Sequence, residues 1–352
     1  MSPRHPLDAN GVVELARLER AGLIESRHLG AAVVTGPDGV VLRELGDGGA
    51  EVYGRSSLKP FQAIAVLRSG VELDGEQLVL ATASHAGTEE HVRVVREMLA
   101  EAGADEGRLQ CPVDWPLDRD AAFAARVAGL GRRRITMNCS GKHASFLLAC
   151  AANGWDWVEY LASRHPLQAL VRETVEELTG DAVGTVGVDG CGAPVFATTL
   201  SGLARGIGRV AGAPGRETAA GTGGDMTGGG RAGERMSGDA AAARVATAVL
   251  AHPWAIDGPG RANTIVIEEL GLVAKLGAEG VLVMGAPDGT GVAPKVLDGS
   301  LRATTLIGLS LLVSVGVLDR DAADAVIDQT TERVLGAGVP VGAWSAAPAV
   351  LS

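Results

Sequence analysis

Gly54-Arg55-Ser56-Ser57-Leu58-Lys59-Pro60 is the stretch that most restricts what this chain can become. Pro60 suits an early helical position, and Phe61, Ile64, Ala65 and Arg68 continue a helical period. A helix is therefore expected to begin here and to stop at Gly70, a residue suited to the left-handed conformation that ends helices. Ser56 and Lys59 then stand three apart on one face of its first turn. A hydroxyl and an amine so placed can act as nucleophile and base, with the helix N-terminus favouring the developing negative charge. The same spacing also describes a capping serine beside a solvated lysine, so the choice depends on the rest of the chain.

Upstream, residues 31–35 and 40–45 flank Gly36-Pro37-Asp38-Gly39 and predict a hairpin. Downstream, residues 78–83 read as a short buried strand that delivers Ser84 and His85 at its end, before a helix capped by Thr88. Polar residues at such a junction fit a site, and equally fit simple turn chemistry. Asn138-Cys139-Ser140-Gly141-Lys142-His143 opens another helix, stopped at Asn153-Gly154. Cys139 and Lys142 are again three apart, so a cation and a helix start would draw the thiol toward thiolate.

Two helices interrupted at His165-Pro166 and ended at Gly180 follow, and then a run, 184–194, rich in Gly, Ala and Pro. If that run is extended, Asp189 and Cys191 face one side. Residues 211–239 are Gly-rich and predict a flexible loop. The last third alternates helices (240–251, 263–270, 304–315, 320–335) with strands (280–285, 291–297). Lys275 lies in the apolar run 272–277, where burying a charge is expensive unless it pairs or neutralises.

With 352 residues and 46% apolar content, the chain can bury a sizeable core, and residues 1–352 are expected to form a single catalytic unit of interleaved subdomains. A net charge of −11 argues against a nucleic-acid partner. No apolar run has the length of a membrane span or the character of a signal peptide, which predicts a cytoplasmic protein with no membrane partner. Four cysteines, at 111, 139, 150 and 191, make a poor disulfide framework and suit metal or catalytic use better, although their spacing matches no C-x-x-C zinc module.

Five motifs occur in the order seen in rhizobial-type L-asparaginases, the asparaginase II family: Arg55-Ser56-x-x-Lys59-Pro60, Ala83-Ser84-His85, the 138–143 stretch, Asp189-Gly190-Cys191-x-x-Pro194 and Lys275-Leu276-Gly277. The chain resembles that family over residues 25–345. The resemblance implies an α+β fold related to serine β-lactamases and glutaminases, with a mixed sheet flanked by helices and a helical subdomain. It also implies a homodimer that hydrolyses L-asparagine to L-aspartate and ammonia. Carried over by position, Ser56 is the nucleophile paired with Lys59, and Ser84 and Lys275 form a second pair. Cys139, Lys142 and Cys191 match a Zn2+ site with a lysine ligand, and Asp189 matches a residue beside it. Arg55 is a candidate for a substrate carboxylate, and His85 and Asp189 complete the expected substrate-binding set.

Amide hydrolysis needs a base that works near neutral pH, and two neighbouring lysines depress each other's proton affinity, so the chemistry agrees with the resemblance. Zinc would then orient the substrate. Two alternatives stay open: another serine hydrolase of the β-lactamase-like fold, whose S-D-N motif is missing here, and a non-catalytic zinc- or amide-binding relative.

Overall fold

The structure, a computed structural model, describes residues 5–221 and 236–352. Strand β1 (Val13–Arg20) turns at Ala21-Gly22 into the long β2 (Leu23–Thr35), and β3 (Val41–Leu45) folds back on β2 after the Gly36–Gly39 turn, as expected. The β1–β2 hairpin precedes the one expected at residues 31–45. β4 (Glu51–Tyr53), β5 (Val186–Val188) and β6 (Pro194–Thr199) form a separate sheet in the order β4-β6-β5. Strands β7 (Val273–Leu276), β8 (Leu282–Gly285), β9 (Gly291–Val296), β10 (Val334–Gly336) and β11 (Val339–Ala346) join β1 and β2 in an antiparallel sheet ordered β10-β11-β1-β2-β9-β8-β7, with β3 also on β2.

The helices in the first half are α1 (Lys59–Arg68), α2 (Gly75–Thr82), α3 (Glu89–Glu101), α4 (Arg119–Val127), α5 (Ser140–Asn153) and α6 (Pro166–Thr179). Those in the second half are α7 (Leu200–Ala211), α8 (Ala213–Gly221), α9 (Gly238–Ala251), α10 (Ala262–Leu270), α11 (Thr304–Ser314), α12 (Arg320–Thr330) and α13 (Pro348–Leu351). Helices α1, α2, α5, α6 and α9 pack on one another, whereas α7 and α11 pack on β8 and β9. The chain is thus a mixed α+β fold in which a helical cluster adjoins an antiparallel sheet. α7 lies so close to β9 that a Cβ on Gly291 would stand 1.9 Å from the Ala204 carbonyl oxygen, which restricts that position to glycine.

Several local expectations hold. Pro60 sits in the first turn of α1, Thr88 accepts a hydrogen bond from the His91 N–H at the start of α3, and Gly154 and Gly180 end α5 and α6 in the left-handed conformation.

Others need correction. Residues 78–82 belong to helix α2, not to a strand, because packing against α1, α5 and α9 buries the segment on all sides and leaves no polar face to mark the helical period. Only one helix flanks His165-Pro166, since turns precede it. The expected 320–335 helix stops at Thr330 and gives way to β10. The described parts of 211–239 are largely helical, in α7, α8 and α9, and the remainder of that Gly-rich stretch lies outside the described residues. Among the described residues no helix is long and apolar enough to cross a membrane.

Candidate active site

The first two motif segments meet where α1 begins and α2 ends. A short 3-10 turn, Arg55–Leu58, precedes α1 and is tied down by the Ser57 N–H and hydroxyl, both donating to the Gly54 carbonyl. Arg55 has a φ of 51°, a costly conformation for a non-glycine residue that its surroundings must hold in place. Its Nε donates to Asp189 Oδ1 at 2.7 Å, so the guanidinium is anchored from the β5–β6 turn.

Lys59 is buried on α1, and its ammonium reaches past α2 to donate to Ser84 Oγ at 2.9 Å. Lys275, fully buried on β7, donates to the same oxygen at 2.9 Å and to the Leu276 carbonyl at 2.7 Å. One hydroxyl therefore accepts from two amines contributed by helix and sheet. Burial, and then the positive charge of Lys59, lowers the Lys275 amine from 10.5 to about 7, so it is poised between its charged and neutral forms at physiological pH.

The expected Ser56–Lys59 couple takes a different form. Lys59 spends its hydrogen bonds on Ser84 Oγ and the Ala83 carbonyl, and the half-buried Ser56 hydroxyl has no hydrogen-bond partner among the described residues. Helical spacing placed Ser56 and Lys59 on one face, but a long lysine chain reaches across to a neighbouring element instead.

His85, expected to contact substrate, is placed against the start of α5. It is fully buried, its Nδ1 accepts from the Gly87 N–H at 3.1 Å, and Nε2 therefore carries the proton and donates to Ser140 Oγ at 2.9 Å. Burial, with the positive charge of its neighbours, drives its proton affinity well below the ordinary histidine value, so it stays neutral. Its ring and its backbone N–H, which donates to the Asn138 carbonyl at 3.1 Å, join the Ser84 loop to the start of α5.

The sulfur cluster assembles at the start of α5. A Cβ on Gly141 would lie 2.5 Å from the Leu80 carbonyl oxygen, so this glycine lets α5 rest directly on α2 and brings Cys139 and Lys142 inward. From the other side, the β5–β6 turn closes with the Asp189 N–H on the Ala193 carbonyl and Gly192 at a φ of 89°. It is a turn rather than the extended run expected, yet it still places Asp189 Oδ2 3.9 Å from Cys191 Sγ.

Lys142 Nζ donates to Cys191 Sγ at 3.0 Å. The neighbouring Cys139 thiol, together with Lys142, holds Cys191 far below the usual thiol range, and the Cys191 sulfur and burial keep Cys139 protonated, its thiol donating to Asn138 Oδ1 at 3.1 Å. Although burial opposes it, the two sulfurs hold the Lys142 proton more tightly than usual. His143 sits alongside, with Nδ1 on the Tyr160 hydroxyl at 2.8 Å and a buried Nε2 that lacks a well-formed hydrogen bond.

No group of three or more His, Cys, Asp or Glu among the described residues is arranged to hold a metal ion. The two sulfurs and the His143 Nε2 are donor types that zinc accepts, and Lys142 could join them only after giving up its proton. The four cysteines are free and buried.

Sequence reasoning passed over Asp257 and Asn263. Asp257 is a buried carboxylate in the loop that bears Gly258-Pro259-Gly260, and Asn263 lies in the first turn of α10. An acidic residue opening a Gly-Pro-Gly loop was the available signal. A pocket of about 460 Å3 between α2, α8 and α9 contains none of the candidate site residues.

A hydroxyl held between two buried amines, beside a thiolate–ammonium pair, is equipment for hydrolysis through an activated oxygen nucleophile. The family model for L-asparaginase II matches residues 16–346, and the chain belongs to that family of amidohydrolases. A comparison with curated proteins finds no match. Among solved structures the chain is similar to Mglu in its native form, at 17% identity and a TM-score of 0.35, covering 91% of this chain and 70% of that one. It is likewise similar to Mglu in its tris and glutamate form, at 17% identity and a TM-score of 0.34, covering 91% and 64%. Likeness at this level leaves the fold to be defined by the chain's own topology.

Proposed function

We propose that the protein hydrolyses L-asparagine to L-aspartate and ammonia through an acyl-enzyme formed on Ser56. The observation that carries this reading is Ser84 Oγ at 2.9 Å from both Lys59 and Lys275, with Lys275 able to be neutral near pH 7. Ser56, whose hydroxyl is unengaged, attacks the side-chain amide carbon. Neutral Lys275 takes the Ser84 proton as Lys59 hands one of its own to Ser84 Oγ, the Lys59 amine so freed takes the Ser56 proton, and Lys275 then protonates the departing nitrogen, which leaves as ammonia. Water repeats the sequence on the ester and releases aspartate. Arg55, fixed by Asp189, supplies its remaining N–H groups to the substrate α-carboxylate.

Cys139, Lys142 and Cys191 would hold a zinc ion, which when bound supplies a fixed positive charge that orients the substrate. Kinship with serine β-lactamases in fold, a homodimeric assembly and a cytoplasmic location belong to the same proposal. A solution mass twice that of the chain would support the dimer.

The same contacts support a second reading. Because both amines already contact Ser84, that residue is the hydroxyl with a base in place and could itself be the nucleophile. Acid quenching during turnover, followed by peptide mass analysis, separates the two: an aspartyl adduct on Ser56 supports the first, one on Ser84 the second. Absence of ammonia release from L-asparagine, with and without added zinc, would remove both and leave a binding relative.

A further inference from the structure

The segment from Ile256 to Asn263 touches both halves of the Ser84–Lys275 pair without contributing to either. The Ser84 N–H donates to the Ile256 carbonyl at 3.0 Å. Seven residues on, Asn263 Oδ1 accepts from the Leu276 N–H at 2.8 Å, and the Leu276 carbonyl accepts from Lys275 Nζ. Asn263 Nδ2 in turn donates to Asp257 Oδ2 at 3.1 Å, and Asp257 Oδ1 accepts from Arg261 Nε at 2.7 Å. Asp257 and Asn263 are both buried, so this polar chain exists inside the protein and is satisfied within itself. It clamps two elements that lie far apart in sequence.

We infer that Asp257 and Asn263 are positioning residues that fix Lys275 against Ser84 and, through the Asp257 carboxylate, set how readily Lys275 holds a proton. The inference rests on the reading of Ser84 and Lys275 given above. Geometry is half of the argument: without the Asn263 amide, the Leu276 N–H loses the bond that holds the end of β7 in place, and with it the residue whose carbonyl accepts from the Lys275 amine. Electrostatics is the other half. Lys275 faces Lys59 from α1 and Arg261 from the start of α10, which disfavour its proton, and Asp257 and Cys139, whose negative forms favour it. Asp257 is the carboxylate in that ring and opposes two cations.

Opposite charge changes must therefore act in opposite directions. In Asp257→Asn, the acid limb of kcat/KM for asparagine moves to lower pH, because Lys275 gives up its proton more readily. In Arg261→Gln, a change at a partly exposed residue lining a pocket of about 350 Å3, the same limb moves to higher pH. Each shift should be about one pH unit or less. Asn263→Ala should lower kcat at least about tenfold with KM nearly unchanged, as expected when a reacting group is misplaced.

A general loss of stability does not produce displacements of opposite sign. Unmoved limbs in both folded variants, or shifts of one sign, overturn the inference. If Asp257→Asn fails to fold, Arg261→Gln alone decides by whether its limb rises. Should the wild type release no ammonia, the functional reading fails instead, and the clamp is judged by unfolding: the rise in stability due to Lys275 should extend to lower pH in Asp257→Asn and not in the wild type.

Discussion

Replacing Lys275 by methionine is expected to abolish turnover and to make the protein more stable at neutral pH. The side chain is fully buried, and burial followed by the charge of Lys59 lowers its amine from 10.5 to about 7. On unfolding the amine regains its ordinary affinity, so between about pH 7 and pH 10.5 the unfolded chain binds more protons than the folded one and stability rises with pH. The penalty is absent above 10.5, grows as pH falls, and is complete below about 7. At about 1.4 kcal/mol per pH unit, that gap corresponds to about 5 kcal/mol.

Methionine removes the penalty and keeps most of the apolar stem. It also abandons the bonds to Ser84 Oγ and the Leu276 carbonyl, a loss of about 1–3 kcal/mol. The variant should therefore gain a few kcal/mol near pH 6–7. Urea unfolding of both proteins from pH 6 to pH 10 is the assay, because groups that titrate alike cancel in the difference. Wild type should close on the variant by about 4 kcal/mol across that range. A difference that stays constant with pH would refute the reasoning, since it would mean that folded Lys275 keeps its proton throughout.

In the wild type, kcat/KM should rise with pH through about 7 as Lys275 loses its proton, and a profile flat from pH 6 to 8 would count against Lys275 as the base. Ser84→Ala should lower kcat at least about a hundredfold while the melting temperature stays within a few degrees, because both lysines lose their shared acceptor. Asp189→Ala frees the Arg55 guanidinium and should raise KM for asparagine about tenfold or more, read by steady-state kinetics. Gly141→Ala forces α5 off the Leu80 carbonyl and should cost about 1–3 kcal/mol in urea unfolding. Zinc added to chelator-treated protein should raise the melting temperature of wild type and leave Cys139→Ser unmoved, a result that needs no activity.

What the sequence discloses here depends on how far apart the deciding residues are. Pro60, Gly70, Thr88, Gly154 and Gly180 act on their own turns, so their effects are legible one residue at a time. Residues 78–82 are not legible, because a segment enclosed by α1, α5 and α9 carries no alternation that separates helix from strand. The motifs identify which side chains gather, but not which of them bond. Lys59 is three residues from Ser56 and twenty-five from Ser84, yet it bonds the second, and Lys275 reaches the same oxygen across 191 positions. Partner choice among long buried side chains is settled by how α1, α2 and β7 pack, and that packing is itself fixed by residues with no chemical signature. Gly141 seats α5 on α2, and Asn263 holds β7 by a peptide N–H. The same logic implies that changes at such silent positions would alter catalysis as deeply as changes at the motif residues, because a base displaced by about 1 Å loses most of its advantage.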